Sequence, residues 1–162
     1  MSRLDSFIRR LTAQRDCLAY VVSKMGTVPG PVLELGLGNG RTYDHLRHLF
    51  PEREIFVFDR KIAAHPDSIP DDAYMIVGEF AETLPGAKHL IKAPAALVHA
   101  DFGSGVDALN TRTADILIRE LPGLVATGAM IVADQPLDVA DWDALPLPEG
   151  VPENRYFIYR AR

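Results

Sequence analysis

Glu34, Gly36, Gly38 and Gly40 occupy every second position of one short stretch, and Asp59, Glu79, Asp101 and Asp134 follow at intervals. Glycines this close together let a ligand touch the backbone. A Cβ would block the approach, and a positive φ costs glycine little. A helix starting just beyond them would offer free N–H groups to a carboxylate or a phosphate. A later acid can accept two ribose hydroxyl protons in a bidentate fashion. Together these residues suit a nucleotide-like cofactor. A dinucleotide fingerprint, G-x-G-x-x-G, would place its third glycine at residue 41, which is Arg41; here the third glycine comes one place early, at Gly40. An ordinary glycine-rich turn without a ligand is the competing reading.

The elements that must position these residues follow from hydrophobic spacing. Residues 31–36 read as a strand and 41–50 as a helix, with Thr42, Tyr43, Leu46, Leu49 and Phe50 at helical spacing and Pro51 as the stop. Residues 54–59 read as a second strand, buried on both faces and delivering Asp59 close to the ~20-residue offset at which an acid meets ribose. Residues 61–72 read as a loop or poorly formed helix, 73–77 as a third strand and 95–101 as a fourth. His99 shares the face of Asp101, because side chains alternate along a strand. A helix at 113–124 and a fifth strand at 128–134 follow. Trp142 is expected to anchor a short helix, and 155–160 to form a last, antiparallel strand at the sheet edge. Six strands are expected, or six with a rudimentary extra one.

Residues 2–25 read as a leading helix, capped by Ser2 with Asp5 and stopped by Gly26. Its apolar stripe is interrupted at Gln14 and Arg15. Either the helix rotates there or Arg15 snorkels, or else both side chains face a polar cavity beside the ligand.

Glu34-x-Gly36-x-Gly38-x-Gly40 resembles motif I of the class I S-adenosylmethionine (SAM) dependent methyltransferases. The stretch from Gly78 to Pro85 resembles that family's G-D-x-x-x-x-L-P segment, with Glu79 in place of the usual Asp. With Asp59 and Asp101 the similarity spans residues 32–101 in order. The chain is identified on these motifs as a small, single-domain member, with residues 1–162 as the domain and 1–26 as a helical segment against its core. The resemblance implies an α/β fold: a three-layer αβα sandwich around a mostly parallel, doubly wound sheet with an antiparallel C-terminal edge strand. It implies SAM as cofactor and S-adenosyl-L-homocysteine as product. The cofactor-binding residues it implies are Glu34, Gly36, Gly38, Asn39, Gly40, Thr42, Asp59, Arg60, Gly78, Glu79, Phe80 and Asp101. In that scheme Asp59 meets the ribose, Glu79 the adenine edge, and Asp101 the cofactor's amino group or the methyl acceptor.

Methyl transfer to oxygen or nitrogen can need a base beside the departing proton. Asp101 and Asp134 are the candidates, followed by His99, which reads first as a satisfied core histidine. Cys17 qualifies as a nucleophile only if its helix face meets the site. No metal is expected: Asp44, His45 and His48 read as a solvated helix face. Asp134-Gln135-Pro136-Leu137 has glutamine where a D-P-P-Y box has its first proline, and it lacks the aromatic.

The chain of 162 residues has one cysteine and a net charge of -5. That charge argues against gripping long nucleic acid by its phosphates. No apolar run is long enough to span a bilayer, and a lone cysteine permits no intrachain disulfide, so a cytoplasmic protein is expected. Little lies beyond the cofactor core, which points to a small-molecule acceptor or to a site completed by a second subunit in a homo-oligomer. A SAM-binding sensor or partner subunit without transferase activity stays open. So does an aminopropyltransferase of the spermidine synthase type, although its usual N-terminal β-domain is missing. A nicotinamide-dependent oxidoreductase is disfavoured by the early third glycine.

Overall fold

The computed structural model describes residues 2–162; where the expected domain and leading segment include Met1, they lie outside the described residues. The chain runs α1 (Arg3–Lys24), β1 (Val32–Leu35), α2 (Arg41–Leu49), β2 (Ile55–Asp59), β3 (Met75–Val77), α3 (Phe80–Thr83), α4 (Ala87–Ile91), β4 (Ala95–Ala100), α5 (Asp107–Glu120), β5 (Val125–Ala133), β6 (Trp142–Leu145) and β7 (Phe157–Ala161). The Ser2 hydroxyl accepts from the Asp5 N–H, and the Asp5 carboxylate accepts from the Ser2 N–H, so the expected capping box starts α1.

One seven-stranded sheet has the order β3-β2-β1-β4-β5-β7-β6. The first five strands are parallel, while β7 pairs antiparallel with both β5 and β6. The chain builds outward from β1 to β3, then returns to place β4 on the other side of β1. That reversal opens a crevice beyond the carboxyl ends of β1 and β4, where ligands of open α/β sheets sit.

Alternate side chains feed two cores. Leu33, Leu35, Phe56 and Phe58 pack with residues of α4 and α5 on one face. Val32, Ile55 and Val57 pack with Ala13, Cys17, Leu18 and Val21 of α1 and Leu46 of α2 on the other. The result is the three-layer αβα sandwich. Every residue of β1 and β4 is buried, as the interior strands of a parallel sheet require. Among the described residues, no helix is long and apolar enough to cross a membrane.

Two expectations are corrected. Trp142 opens strand β6 rather than sitting in a short helix, and its ring rests on Tyr159 of β7 at 5.9 Å. Helix α5 starts at Asp107, earlier than 113, and ends at Glu120, where a 3-10 turn over Leu121–Gly123 accommodates Pro122. Strand β6 supplies the short extra strand and is the outermost one, so β7 is enclosed on both sides.

Candidate active site

The glycine turn leaves β1 at the switch point. Gly36 has φ +101, and a Cβ there would lie 2.6 Å from the Asp101 carbonyl oxygen. Only glycine lets the turn pass that close to the end of β4. Gly38 has φ +53 and nothing within 4 Å of its absent Cβ, so its bare backbone faces open space. Gly40, at the N-cap of α2, instead lets the 64–68 segment pack close, since a Cβ there would collide with Ser68 and Ala64. The Asp59 carboxylate at the end of β2 accepts from the N–H groups of Leu37 at 2.8 Å and Gly38 at 3.1 Å, tying the turn to the neighbouring strand.

A cleft of about 370 Å³ opens over these strand ends. The turn lines it through Gly36, Gly38 and Asn39, and Thr42 continues it into α2. Asp59, Arg60, Gly78, Glu79, Phe80 and Asp101 complete the set of expected residues on its walls. Glu34 and Gly40, also expected, do not line it; Glu34 is fully buried beneath the turn. The opposite wall was not foreseen in full. It comprises Phe7, Arg10, Leu11 and Gln14 of α1 with Leu109 and Thr113 of α5.

Beneath the cleft lie two rows of polar side chains on the face covered by α1. In the first, Glu34 pairs in register with His99, and His99 with Val132. Glu34 Oε2 and His99 Nδ1 are 2.7 Å apart, with both side chains fully enclosed. Burial raises the Glu34 pKa. Burial also opposes protonation of His99, but the Glu34, Asp101 and Asp134 carboxylates outweigh it and raise the imidazole pKa. One pleat further on, the same register sets Asp101 beside Asp134.

Helix α1 ties the rows together. Gln14 Nε2 donates to Asp101 Oδ2 at 2.9 Å and lies 3.3 Å from His99 Nε2. With the imidazole neutral, this arrangement puts its proton on Nδ1, toward Glu34. Arg10 donates through one nitrogen to both Asp101 oxygens, at 2.9 and 2.8 Å. Asp134 accepts from the Phe102 and Gly103 N–H groups at 3.1 and 2.9 Å. Its carboxyl is pushed up to about 6, by burial first and then by the Asp101 charge. A carboxyl so placed can gain or lose a proton near neutral pH.

The two interruptions in the α1 stripe part company. Gln14 faces the cleft, whereas Arg15 is exposed and pairs with Asp16. Arg10 escaped the sequence reading because one arginine among several on an amphipathic helix carries no mark of a buried partner. Cys17 lies in the apolar core behind α1, its thiol pushed up to about 12 by burial and by Asp16, so no nucleophile reaches the cleft from there. Among the described residues, no cluster of three His, Cys, Asp or Glu side chains could hold a metal ion.

A parallel sheet with an antiparallel β6–β7 end, a glycine turn at its switch point and an acid at the carboxyl end of each of β2 and β4 defines a class I SAM-dependent methyltransferase. The chain belongs to the S-adenosyl-L-methionine methyltransferase family, whose model matches residues 1–161. It is similar to an S-adenosyl-L-methionine methyl transferase from Silicibacter pomeroyi, with 44% identity over 99% of each chain and a TM-score of 0.90. The fold also matches the rRNA methyltransferase aviRa from Streptomyces viridochromogenes, at 12% identity over 93% of this chain and 83% of that one, with a TM-score of 0.59. A sugar N-methyltransferase from Streptoalloteichus matches at 18% identity over 90% of this chain and 61% of that one, with a TM-score of 0.56. A search of curated proteins finds no match. The residues present suit SAM: bare backbone at Gly38 opens onto the cleft, and carboxylates stand ready for hydroxyl and ammonium protons.

Proposed function

We propose that the whole chain acts as one SAM-binding domain and methylates a small molecule held in this cleft. The observation that carries the reading is convergence: residues expected from β1, β2, β3 and β4 line one cleft at the switch point. In this reading the Gly36–Asn39 backbone and Thr42 hold the cofactor's tail, Asp59 its ribose and Gly78, Glu79 and Phe80 its adenine. Arg60 flanks the ribose. Asp101 meets the ammonium. Glu34 and Gly40 act from behind, one anchoring His99 and the other letting the 64–68 segment pack against the start of α2. When bound, SAM supplies a methyl carbon activated by its sulfonium sulfur.

The acceptor half of the cleft is lined by Phe7, Leu11, Phe102 and Leu109. These apolar side chains exclude water and favour an apolar body of limited size. The Asp101–Asp134 pair takes the proton released from an acceptor nitrogen or oxygen, Asp134 being the member tuned near neutrality. The net charge of -5 weighs against an RNA substrate. A single cysteine fits a reducing, cytoplasmic setting.

The test is transfer of a labelled methyl from SAM, offering the protein a small-molecule extract and total RNA in separate reactions. Label in the small-molecule fraction supports the reading; label in the RNA overturns it. Calorimetric titration with SAM, S-adenosyl-L-homocysteine and NAD tests the site itself. The first two should bind and NAD should not.

A further inference from the structure

Tyr156 stands immediately before β7 and is 1% exposed. Its hydroxyl is buried and has no hydrogen-bond partner among the described residues. Buried polar groups are normally satisfied, so an orphan hydroxyl needs an explanation. Its surroundings supply one. Ala133 pairs with Phe157, so the antiparallel register carried one residue further sets Tyr156 against Asp134. Ala100 pairs with Ala133, which sets Asp134 beside Asp101. Asp101, Asp134 and Tyr156 therefore stand abreast on three neighbouring strands. The Arg10 guanidinium passes near the hydroxyl without meeting hydrogen-bond geometry. Burial first, then the Asp101 charge, raises the phenol's pKa, so it acts as a donor and never as a base.

The acceptor for that donor is engaged elsewhere. Both Asp101 oxygens receive Arg10, and Oδ2 also receives Gln14. The Arg10 side chain is 43% exposed on the cleft wall, against 15% for Asp101, so Arg10 is the partner free to leave. A cofactor with an ammonium and a carboxylate competes for both members of this ion pair.

We propose that Tyr156 is a positioning residue: when ligand draws Arg10 away from Asp101, the Tyr156 hydroxyl donates to the vacated carboxylate and keeps it aimed into the cleft. The inference rests on the reading that Asp101 meets the cofactor's ammonium.

The experiment measures S-adenosyl-L-homocysteine affinity by calorimetry and ligand-free thermal unfolding for wild type, Tyr156→Phe, Asp101→Asn, Arg10→Ala and Arg10→Ala with Tyr156→Phe. Tyr156→Phe should leave the ligand-free Tm within about 1 °C of wild type or above it, since the lost hydroxyl had no partner. It should weaken S-adenosyl-L-homocysteine binding about tenfold, as loss of a hydrogen bond to a charged group does. With Arg10→Ala only Gln14 still holds the carboxylate, at Oδ2, so Oδ1 is open to the phenol and adding Tyr156→Phe should lower that Tm by about 3 °C. Unchanged affinity in Tyr156→Phe overturns the proposal. So does a Tm loss, or a failure to fold, in the wild-type background, because either means the hydroxyl already bears a structural load. Should Asp101→Asn bind like wild type, the reading of Asp101 itself fails. Should Asp101→Asn lose affinity and Tyr156→Phe keep it, only the role of Tyr156 falls.

Discussion

Glu34 and His99 are direct partners across β1 and β4, with Oε2 and Nδ1 2.7 Å apart and no solvent on either side chain. The other Glu34 oxygen, Oε1, is buried and has no hydrogen-bond partner among the described residues. The carboxylate thus depends on one imidazole. His99→Leu strips that partner and should lower the unfolding free energy by about 3–5 kcal/mol, the usual cost of orphaning one member of a buried pair. Urea denaturation measures it. A loss under about 1 kcal/mol would show that Glu34 is held as the neutral acid.

Gly36 and Gly38 separate folding from binding. Gly36→Ala drives a methyl against the Asp101 carbonyl at φ +101 and should cost about 2 kcal/mol or more of stability. Gly38→Ala meets no atom within 4 Å, and only the left-handed backbone, worth about 1 kcal/mol, opposes it. Its methyl enters the cleft, so S-adenosyl-L-homocysteine affinity should fall by about tenfold or more. Thermal melts beside calorimetry decide the matter, and normal affinity in Gly38→Ala would remove backbone contact with the cofactor.

Asp59 has two jobs in this reading, ribose acceptor and clamp on the glycine turn. Asp59→Ala should weaken S-adenosyl-L-homocysteine binding by about tenfold or more, while stability drops by only about 1 kcal/mol through the freed N–H groups of Leu37 and Gly38. The same two instruments check it. An unaltered dissociation constant would take Asp59 out of the site.

Asp134 gives the protein a pH dependence of defined sign. Its carboxyl, raised from 3.8 to about 6, holds a proton more firmly folded than unfolded. The stability it contributes is complete below pH 3.8 and is lost as the pH rises through about 6. Asp134→Asn has no such proton. Variant Tm minus wild-type Tm should therefore climb between about pH 4 and pH 6 and level off above. A difference that stays flat throughout would mean that Asp134 ionises as an exposed acid does.

The central parallel strands could be read from the chain because their apolar runs are continuous and end in glycine or acid. The first helix could be read from its cap and stripe. Trp142 misled because strand β6 is a four-residue edge with Asp143 exposed, set among prolines; such a segment has neither the length nor the alternation to announce itself. The start of α5 was hidden because Val106 and Leu109 are exposed, so its first turn shows no buried stripe. On the cleft, the glycines and acids were visible because their types are rare in such positions. Phe7, Arg10 and Leu109 were not, since each looks like an ordinary surface or core residue until α1 and α5 are placed. The sequence could put His99 and Asp101 on one face. Only the register of three strands brings Tyr156 to them.

The tie between Arg10 and Asp101 spans 91 residues, and that between Gln14 and Asp101 spans 87. Contacts so distant in the chain close late, after nearer ones have shrunk the entropy of the loop between them. On the ribosome α1 emerges before β4 and must wait for it before Arg10 and Gln14 find their partners. Shape is thus acquired before competence: a nascent chain can form its helix and first strands while nothing yet holds Asp101, and the ability to take a ligand arrives as one of the closing events of folding.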